Sequence, residues 1–295
     1  MNRNRAFVAA LVGAASAATL ALAACSPLDT LNALTPQSGH VLSAGVAYGP
    51  GARQKLDIYR PLGAAPRAGW PVVVFFYGGA WNRGERAEYR FVGAALAARG
   101  VLTLVADYRL YPEVRYPEFL RDGGAALAYG LGHASELGGD PKRVFVMGHS
   151  AGGYNAAMLA LDPRWLQPTG HAPAELAGWI GLAGAYDFLP MKNPDSRPVF
   201  FHPDYPPHTQ PIEFVGSASP PAFLGAAVND TLIDPQRNSV GLYSRLRAAG
   251  VPATLKMYDG VGHTTLVASL AGPLRFLAPT LDDVGAFIEA TPPRR

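Results

Sequence analysis

Residues 148–152 read Gly-His-Ser-Ala-Gly and match the pattern G-x-S-x-G. The apolar run Val144–Met147 precedes this segment, and the helix-compatible segment Tyr154–Ala160 follows it. The order strand, sharp turn, helix forces the central serine into a strained backbone conformation, with its hydroxyl exposed above a sheet. Glycines stand at positions 148 and 152, on either side of the serine, because the strand and helix backbones nearly touch at such a turn. The pattern therefore predicts that Ser150 is a nucleophile.

Apolar runs alternate with helical segments along the rest of the chain. Most runs are continuously apolar, as in strands covered on both faces, whereas residues 55–59 alternate as a half-buried strand does. The predicted strands are 55–59, 72–76, 101–105, 144–147, 179–182 and 222–226, and the predicted helices are 91–99, 120–137, 239–249 and 281–290. The alternation predicts an α/β fold with a mostly parallel central sheet and helices on both faces.

Residues 1–24 have the composition of a targeting segment and are left out of the fold prediction. Arg3 and Arg5 precede an uncharged stretch rich in alanine and leucine, and Cys25 follows it. This order resembles a bacterial lipoprotein signal, in which cleavage before the cysteine leaves that residue to carry lipid. Cys25 is the only cysteine, so no disulfide or metal site competes for it. The resemblance implies a membrane attachment through lipid alone.

Two other outcomes are open for this N-terminal segment. One is ordinary secretion to the periplasm, with cleavage after residues 21–23, and the other is a membrane-spanning anchor, for which the stretch is short. Ser26 stands where an aspartate would be the usual signal for retention in the inner membrane. A lipid-anchored protein of the bacterial cell envelope is expected, with the outer membrane favoured.

The remaining chain divides by composition. Residues 25–39 are polar and contain proline, serine and threonine, which predicts a flexible tether. The folded catalytic domain is expected over residues 40–291, with a short tail over 292–295.

Residues 186–221 interrupt the alternation of strands and helices and are rich in proline and aromatic residues. Because a loop of this length in a compact domain is usually functional, it predicts a small cap beside the substrate pocket. The alternative is a surface loop with no role in substrate binding.

Charge and ligand patterns exclude several classes of function. The formal net charge is only +3, and the basic residues form no run that would follow a phosphate backbone, so no nucleic-acid partner is expected. The sequence has no H-x-x-x-H spacing, no C-x-x-C pair and no phosphate-binding glycine loop. We therefore expect neither a metal nor a cofactor.

A serine hydroxyl needs a base within hydrogen-bond reach and a third group that orients this base. When the nucleophile lies in a G-x-S-x-G turn, the acid and then the histidine follow it in the chain. His263 meets this requirement because a strand-like run and a glycine-rich loop, 257–262, lead to it. Three other histidines after the serine lie earlier, in loop or cap regions: His171, His202 and His208. His263 is the predicted base.

The acid is expected directly after the predicted strand 222–226. Asp230 stands at the end of this strand, where a carboxylate can reach the second nitrogen of the histidine. Asp234 precedes Pro235 and is the alternative, although a helix cap also explains it. Asp259 is more typical of a turn. The order of preference is Asp230, then Asp234, then Asp259.

The tetrahedral intermediate of acyl transfer needs backbone N–H donors aimed at its oxyanion. One predicted donor is Ala151, directly after the nucleophile. Gly79 and Ala80 are the other predicted donors, in the loop 77–81 that follows the strand 72–76. The alternative for this loop is a plain glycine turn.

Several segments together resemble the carboxylesterase branch of the α/β-hydrolase superfamily, which includes hormone-sensitive-lipase-like esterases, feruloyl-esterase-like proteins and kynurenine formamidases. Residues 77–81 (Tyr-Gly-Gly-Ala-Trp) resemble the H-G-G-x-W segment of this family, and residues 107–112 resemble its D-Y-R-L-x-P segment. Residues 139–143 are also similar, and the resemblance extends over residues 56–287. The family usually has a histidine at the position of Tyr77, where it braces the oxyanion loop, which corresponds to residues 77–81 of this chain.

The resemblance implies a serine hydrolase that cleaves small to medium acyl esters through an acyl-enzyme, with no cofactor and a small-molecule ester as its partner. It implies structural roles for four charged residues: Asp107, Arg109, Asp122 and Asp187. An arylformamidase with the same three catalytic side chains is the second hypothesis. A non-catalytic binding lipoprotein that keeps the fold is the third.

Overall fold

An eight-stranded sheet carries the fold in the computed structural model, which describes residues 27–36 and 38–294. Its strands are β1 (His40–Ala47), β2 (Lys55–Pro61), β3 (Trp70–Phe76), β4 (Leu102–Ala106), β5 (Gly139–His149), β6 (Gly178–Leu182), β7 (Ala222–Ala227) and β8 (Ala253–Tyr258). Their order in the sheet is β1-β2-β4-β3-β5-β6-β7-β8. β2 is antiparallel to β1 and β4, and all other neighbours are parallel. The predicted fold class is confirmed.

Helices and short turns connect the strands. The α-helices are α1 (Pro27–Ala33), α2 (Arg90–Ala97), α3 (Glu118–His133), α4 (Ala151–Leu161), α5 (Gly241–Ala248), α6 (His263–Ala268) and α7 (Thr280–Ala290). Turns of 3-10 helix lie at Arg86–Tyr89, Pro163–Trp165, Gln167–Thr169, Pro173–Glu175, Pro198–Phe200, Pro211–Phe214 and Gly272–Leu277, and a π turn lies at Gln236–Val240. In the part of the chain that the structure describes, no helix has the length and apolar character needed to cross a bilayer.

The register of the parallel strands sets the position of the site. Phe76 at the end of β3 pairs with Ala106 of β4 and with Gly148 of β5, and Gly148 pairs with Gly181 of β6. The carboxyl ends of these strands therefore lie along one edge of the sheet, where the loops that follow them meet. The strand residues 72–76 are fully buried, because the central strands are covered on both faces.

Strand β1 was not predicted from the sequence. It is one of the two edge strands of the sheet, and residues 41–44 and 47 are exposed. Its register with β2 shifts between Ser43 and Val46. An exposed and irregular edge strand has no apolar run and no regular alternation, so the sequence contained no signal for it.

The flexible tether predicted over 25–39 differs from the structure, which has helix α1 within that range. Leu31 of this helix is buried. The side-chain amide of Asn32 donates to the carbonyl oxygens of Ala87 and Glu88, at 2.9 and 2.8 Å, and its oxygen accepts from the N–H of Phe91 at 3.2 Å. These long-range bonds hold α1 against the turn Arg86–Tyr89, which the local composition did not reveal. The targeting segment 1–24 and Cys25 lie outside the described residues.

The C-terminal residues 292–294 also pack back onto the domain, although the sequence predicted a tail there. Arg294 donates its backbone N–H to the carbonyl of Lys142 at 2.8 Å. Its Nε donates to the carbonyl of Ala174 at 2.8 Å. One main-chain acceptor in strand β5 and one in the turn Pro173–Glu175 thus hold the end of the described chain.

The predicted cap, residues 186–221, contains two 3-10 turns and neither an α-helix nor a strand. Phe200 is fully buried and packs edge-on against Trp81, at 4.9 Å between ring centres, and against Tyr154, at 5.6 Å. Burial of one such ring stabilises the packed arrangement by about 2–3 kcal/mol. The hydroxyl of Tyr154 donates to the carbonyl of Thr209 at 2.9 Å. An aromatic cluster and main-chain hydrogen bonds therefore fix the segment on α4.

Candidate active site

Ser150 lies at the turn between β5 and α4, with φ 55° and ψ −118°. A positive φ is unfavourable for a residue with a Cβ, so the turn holds the serine in the strained conformation that the sequence pattern predicts. A Cβ on Gly152 would lie 2.0 Å from the carbonyl oxygen of Phe76, and one on Gly148 would lie 2.0 Å from the carbonyl oxygen of Gly152. Gly148 thus allows β5 to approach α4, and Gly152 allows α4 to approach the end of β3.

Three side chains that are far apart in the sequence meet at this edge of the sheet. His263 is the first residue of α6, and Asp230 follows β7. The Nε2 atom of His263 lies 2.8 Å from the Oγ of Ser150, and the Nδ1 atom of the same ring lies 2.7 Å from the Oδ2 of Asp230. The imidazole is within reach of the hydroxyl proton on one side, and a carboxylate orients it on the other. The side chains of His263 and Asp230 are only 10% and 1% exposed, so little water competes for these bonds.

The surroundings of Asp230 favour its ionised form. Burial alone opposes ionisation, but the hydrogen bond and charge of His263 act in the opposite direction. The backbone N–H groups of Leu232 and Ile233 donate to Oδ1 at 2.8 and 3.0 Å and add to this effect. The net result is a pKa of the Asp230 carboxyl below its usual value. The carboxylate is therefore charged at neutral pH and fixed in orientation through both oxygens.

Among the hydrogen bonds of the described residues, none joins the other candidate acids and histidines to Ser150, although Asp234 lines the same cavity. Asp234 accepts from the N–H groups of Gln236 and Arg237 at 2.9 and 3.2 Å, so its carboxylate is bonded to the turn that follows it. Asp259 is exposed in a bend. The remaining predicted alternatives make local contacts: His171 with Glu175, His208 with Glu213, and His202 with Tyr205.

Gly79, Ala80 and Ala151 line the same cavity as Ser150. Among the hydrogen bonds of the described residues, none uses the N–H of these three residues as donor. Ala151 is also the first residue of the eleven-residue helix α4, whose N-terminal end carries a partial positive charge. The indole nitrogen of Trp81 donates to Oδ1 of buried Asn155 at 3.0 Å and thereby fastens the loop to α4.

Tyr77 stands where the family has a histidine, and Arg53 supplies the hydrogen bonds that hold its loop. The Nη2 of Arg53 donates to the hydroxyl of Tyr77 at 2.8 Å and to the carbonyl of Gly84 at 2.5 Å. Its Nε donates to the carbonyl of Tyr108 at 3.0 Å. Burial raises the pKa of the Tyr77 phenol, which therefore stays un-ionised. Sequence reasoning missed Arg53, because nothing near it in the chain indicates a partner 24 residues away.

The charged residues that the resemblance implies to be structural are engaged in ion pairs. Asp122 accepts from the guanidinium of Arg109 at 2.8 Å and from its backbone N–H at 2.9 Å. The carboxylate of Asp107 accepts from the backbone N–H of Arg86 and forms an ion pair with the guanidinium of the same residue. Asp187 pairs with Arg237 at 2.7 Å and, unlike the others, lines the cavity beside Ser150.

The cavity has a volume of about 450 Å³ and opens over the hydroxyl of Ser150. Its walls come from the loop after β3, the turn at Ser150, the predicted cap and the turn after β7. Leu28 of α1 adds a wall that the sequence did not predict. Arg83 of the loop after β3 pairs with Asp195 of the cap at 3.2 Å, although such an exposed pair adds at most about 1 kcal/mol. Within the described residues, no group of three or more histidine, cysteine, aspartate or glutamate side chains is placed to hold a metal.

Comparisons with known proteins find relatives among esterases. A probable isoprenylcysteine alpha-carbonyl methylesterase of Oryza sativa is 30% identical over 254 residues, which cover 78% of this chain and 58% of that protein. Esterase LipC of Mycobacterium tuberculosis is 31% identical over 222 residues, 69% of this chain and 54% of its own length. The chain thus spans little more than half the length of these two relatives.

The fold is shared with solved esterases. The structure of Thermogutta terrifontis esterase 2 phosphoramylated by tabun matches with a TM-score of 0.71 at 21% identity, over 86% of this chain and 95% of that one. The profile of the BD-FAE family matches residues 56–246, more than half of the chain. The chain therefore belongs to the BD-FAE family and has the α/β-hydrolase fold of the carboxylesterase type.

Proposed function

We propose that this protein is a serine carboxylic-ester hydrolase that cleaves small to medium acyl esters through an acyl-enzyme intermediate. The observation that carries the proposal is the hydrogen-bonded series from Ser150 through His263 to Asp230, with distances of 2.8 and 2.7 Å. A serine hydroxyl is a weak nucleophile unless a base accepts its proton as it attacks, and this series supplies an oriented base.

The proposed reaction has two halves. The Oγ of Ser150 attacks the ester carbonyl while His263 accepts the hydroxyl proton, and the carbonyl oxygen becomes an oxyanion. The N–H groups of Gly79, Ala80 and Ala151 stabilise this oxyanion. The tetrahedral intermediate collapses, the ester C–O bond breaks, and the alcohol leaves with the proton from His263. Water then attacks the acyl-enzyme in the same manner and releases the carboxylic acid.

Two further observations support the proposal: the cavity volume bears on the size of the substrate, and the names of two relatives bear on the type of bond. The cavity of about 450 Å³ lies in the lower part of the range of about 300–1,000 Å³ that is typical of small-molecule sites. The relatives from Oryza sativa and Mycobacterium tuberculosis are named as a methylesterase and an esterase. Both names concern the cleavage of an ester bond, which is the reaction proposed here.

A panel of p-nitrophenyl esters of increasing acyl length, together with N-formylkynurenine, tests the proposal. We expect kcat/KM to be highest for a short or medium acyl chain and to fall for long chains, which exceed the cavity. A kcat/KM for N-formylkynurenine above that of every ester would contradict the proposal in favour of an arylformamidase. Failure of a fluorophosphonate probe to label Ser150 would instead favour a binding protein that keeps the fold.

We also propose that the protein is anchored to the bacterial cell envelope by lipid on Cys25. The support is the arrangement of Arg3, Arg5, the uncharged stretch and a lone cysteine at its end. Cell fractionation of wild type and Cys25→Ala checks this. We expect the wild type in the membrane fraction and the variant in the soluble fraction. A variant that stays membrane-bound with unchanged mass would show that lipid on Cys25 is not the anchor.

A further inference from the structure

His149 directly precedes Ser150, and the proposed mechanism gives it no role. It is 4% exposed. Its Nε2 lies 3.0 Å from the main-chain carbonyl oxygen of His263, a residue 114 positions further along the chain. A carbonyl oxygen can only accept, so Nε2 of His149 carries the hydrogen and donates it. Two adjacent residues therefore hold His263: Ser150 contacts its ring, and His149 contacts its backbone.

We infer that His149 is a positioning residue for the proposed ester hydrolysis, because its Nε2–H fixes the main chain of His263 relative to Ser150. The inference rests on the proposed function. His263 follows the loop 259–262, in which Gly260 has a φ of 76° and Asp259 and Gly260 are exposed. Asp230 holds only the imidazole ring. The bond from His149 supplies a fixed point on the backbone at which α6 begins.

Gly78 packs against the Nδ1 side of the His149 ring, opposite the Nε2 atom that donates to His263. A Cβ on Gly78 would lie 2.9 Å from Nδ1 of His149, so the ring fills the space between the oxyanion loop and His263. Nδ1 is buried without a hydrogen-bond partner among the described residues. The only hydrogen bond that this ring makes there is therefore the one to His263. That arrangement suits a donor whose single function is to hold the carbonyl.

The ring of His149 also stays neutral while the reaction proceeds. The titratable groups that face it are His263, with ring centres 5.0 Å apart, and Asp230. Burial, together with the charge of His263, lowers the pKa of His149 to about 3. A second positive charge beside His263 would oppose formation of the imidazolium in the transition state. A neutral donor holds the backbone without this repulsion.

Paired variants test the inference. Glutamine places an amide nitrogen near the position of Nε2, whereas methionine has similar length and no donor, so His149→Gln and His149→Met differ mainly in the hydrogen bond. We expect His149→Met to lower kcat for the best ester by about 10- to 100-fold, with KM changed less than about twofold, since small misplacement of a catalytic group has effects of this size. His149→Gln is expected to recover most of the lost kcat. His40→Gln, at another buried histidine on the edge strand β1, is the matched control and is expected to keep wild-type kcat.

Equal kcat in His149→Met and wild type, or equal losses in the methionine and glutamine variants, would overturn the inference. If His149→Met does not fold, His149→Phe keeps the volume of a ring and allows the same comparison with His149→Gln. The outcome is distinguishable from failure of the proposed function, in which wild type itself hydrolyses no ester of the panel.

Thermal unfolding at different pH values gives a readout that does not depend on activity. The unfolded chain binds a proton on this histidine below its usual pKa of 6.5, whereas the folded protein binds it only near pH 3. The unfolded state therefore holds more protons between these values, and acidification through this window lowers stability. We expect the Tm of wild type to fall more steeply from pH 6.5 to pH 4 than that of His149→Gln. Parallel Tm profiles would contradict a buried, neutral His149.

Discussion

Replacing Ser150 by alanine is expected to lower kcat/KM for a short-chain aryl ester by about 10⁵- to 10⁶-fold, because no other group in the proposed mechanism can form the acyl-enzyme. The side-chain partner of the Ser150 hydroxyl is His263. Removal of the hydroxyl therefore takes a hydrogen bond from the imidazole of His263 and from no other side chain. The variant should therefore fold with a Tm close to that of wild type. Ester hydrolysis and circular dichroism of the purified proteins measure both quantities.

The matched control is Ser217→Ala, since Ser217 is an exposed serine in the segment 186–221. It should keep wild-type activity. A fluorophosphonate probe should add one equivalent of label to wild type and to Ser217→Ala, and none to Ser150→Ala. Turnover by a folded Ser150→Ala protein at the wild-type rate would exclude Ser150 as the nucleophile.

Asp230→Asn is expected to lower kcat by about 10³- to 10⁴-fold, through the tautomer of His263. The N–H groups of Leu232 and Ile233 donate to Oδ1 of Asp230, and an asparagine oxygen can accept the same bonds. The asparagine amide nitrogen then occupies the position of Oδ2 and donates to Nδ1 of His263. The imidazole must carry its hydrogen on Nε2, where it can no longer accept the proton of Ser150. Steady-state kinetics on the best ester measure the loss.

Asp259→Asn is the control for this prediction, because Asp259 is an exposed aspartate in the bend before His263 and should tolerate the change. A wild-type kcat in Asp230→Asn would exclude the orientation role of this carboxylate.

The pH dependence of stability provides a second check on Asp230. The pKa of Asp230 is lowered from 3.8, so its charged form stabilises the fold above that pH, and this contribution is lost as the pH falls below it. The Tm difference between wild type and Asp230→Asn should therefore be larger at pH 7 than at pH 3.

Much of the sheet could be predicted from the sequence because each central strand is a local run of apolar residues. The run 72–76 is fully buried in β3, as its composition indicates. Edge strand β1 and helix α1 could not be predicted in this way. Residues 41–44 of β1 face solvent, and α1 is held by hydrogen bonds from Asn32 to residues more than 50 positions away.

Some residues of the candidate site could likewise be predicted from the sequence, and others could not. Chain order and the end of β7 were enough to prefer Asp230 over Asp234, and the structure places Asp230 against His263 and Asp234 on a turn. By contrast, no local pattern indicated that Arg53 would take part in holding the oxyanion loop. The family histidine at the position of Tyr77 gave only the place of the brace, and the tertiary structure supplied its partner.

The sequence by itself determined the α/β class, the turn that carries Ser150, and the order in which acid and histidine follow it. Each of these depends on residues that are adjacent or in a fixed succession along the chain. Only the tertiary structure decided which groups hold the site: Arg53 on the oxyanion loop, His149 on the backbone of His263, and Leu28 on the wall of the cavity. These contacts join segments that lie far apart in the chain, and their distances are set by how the loops pack at the common edge of the parallel strands.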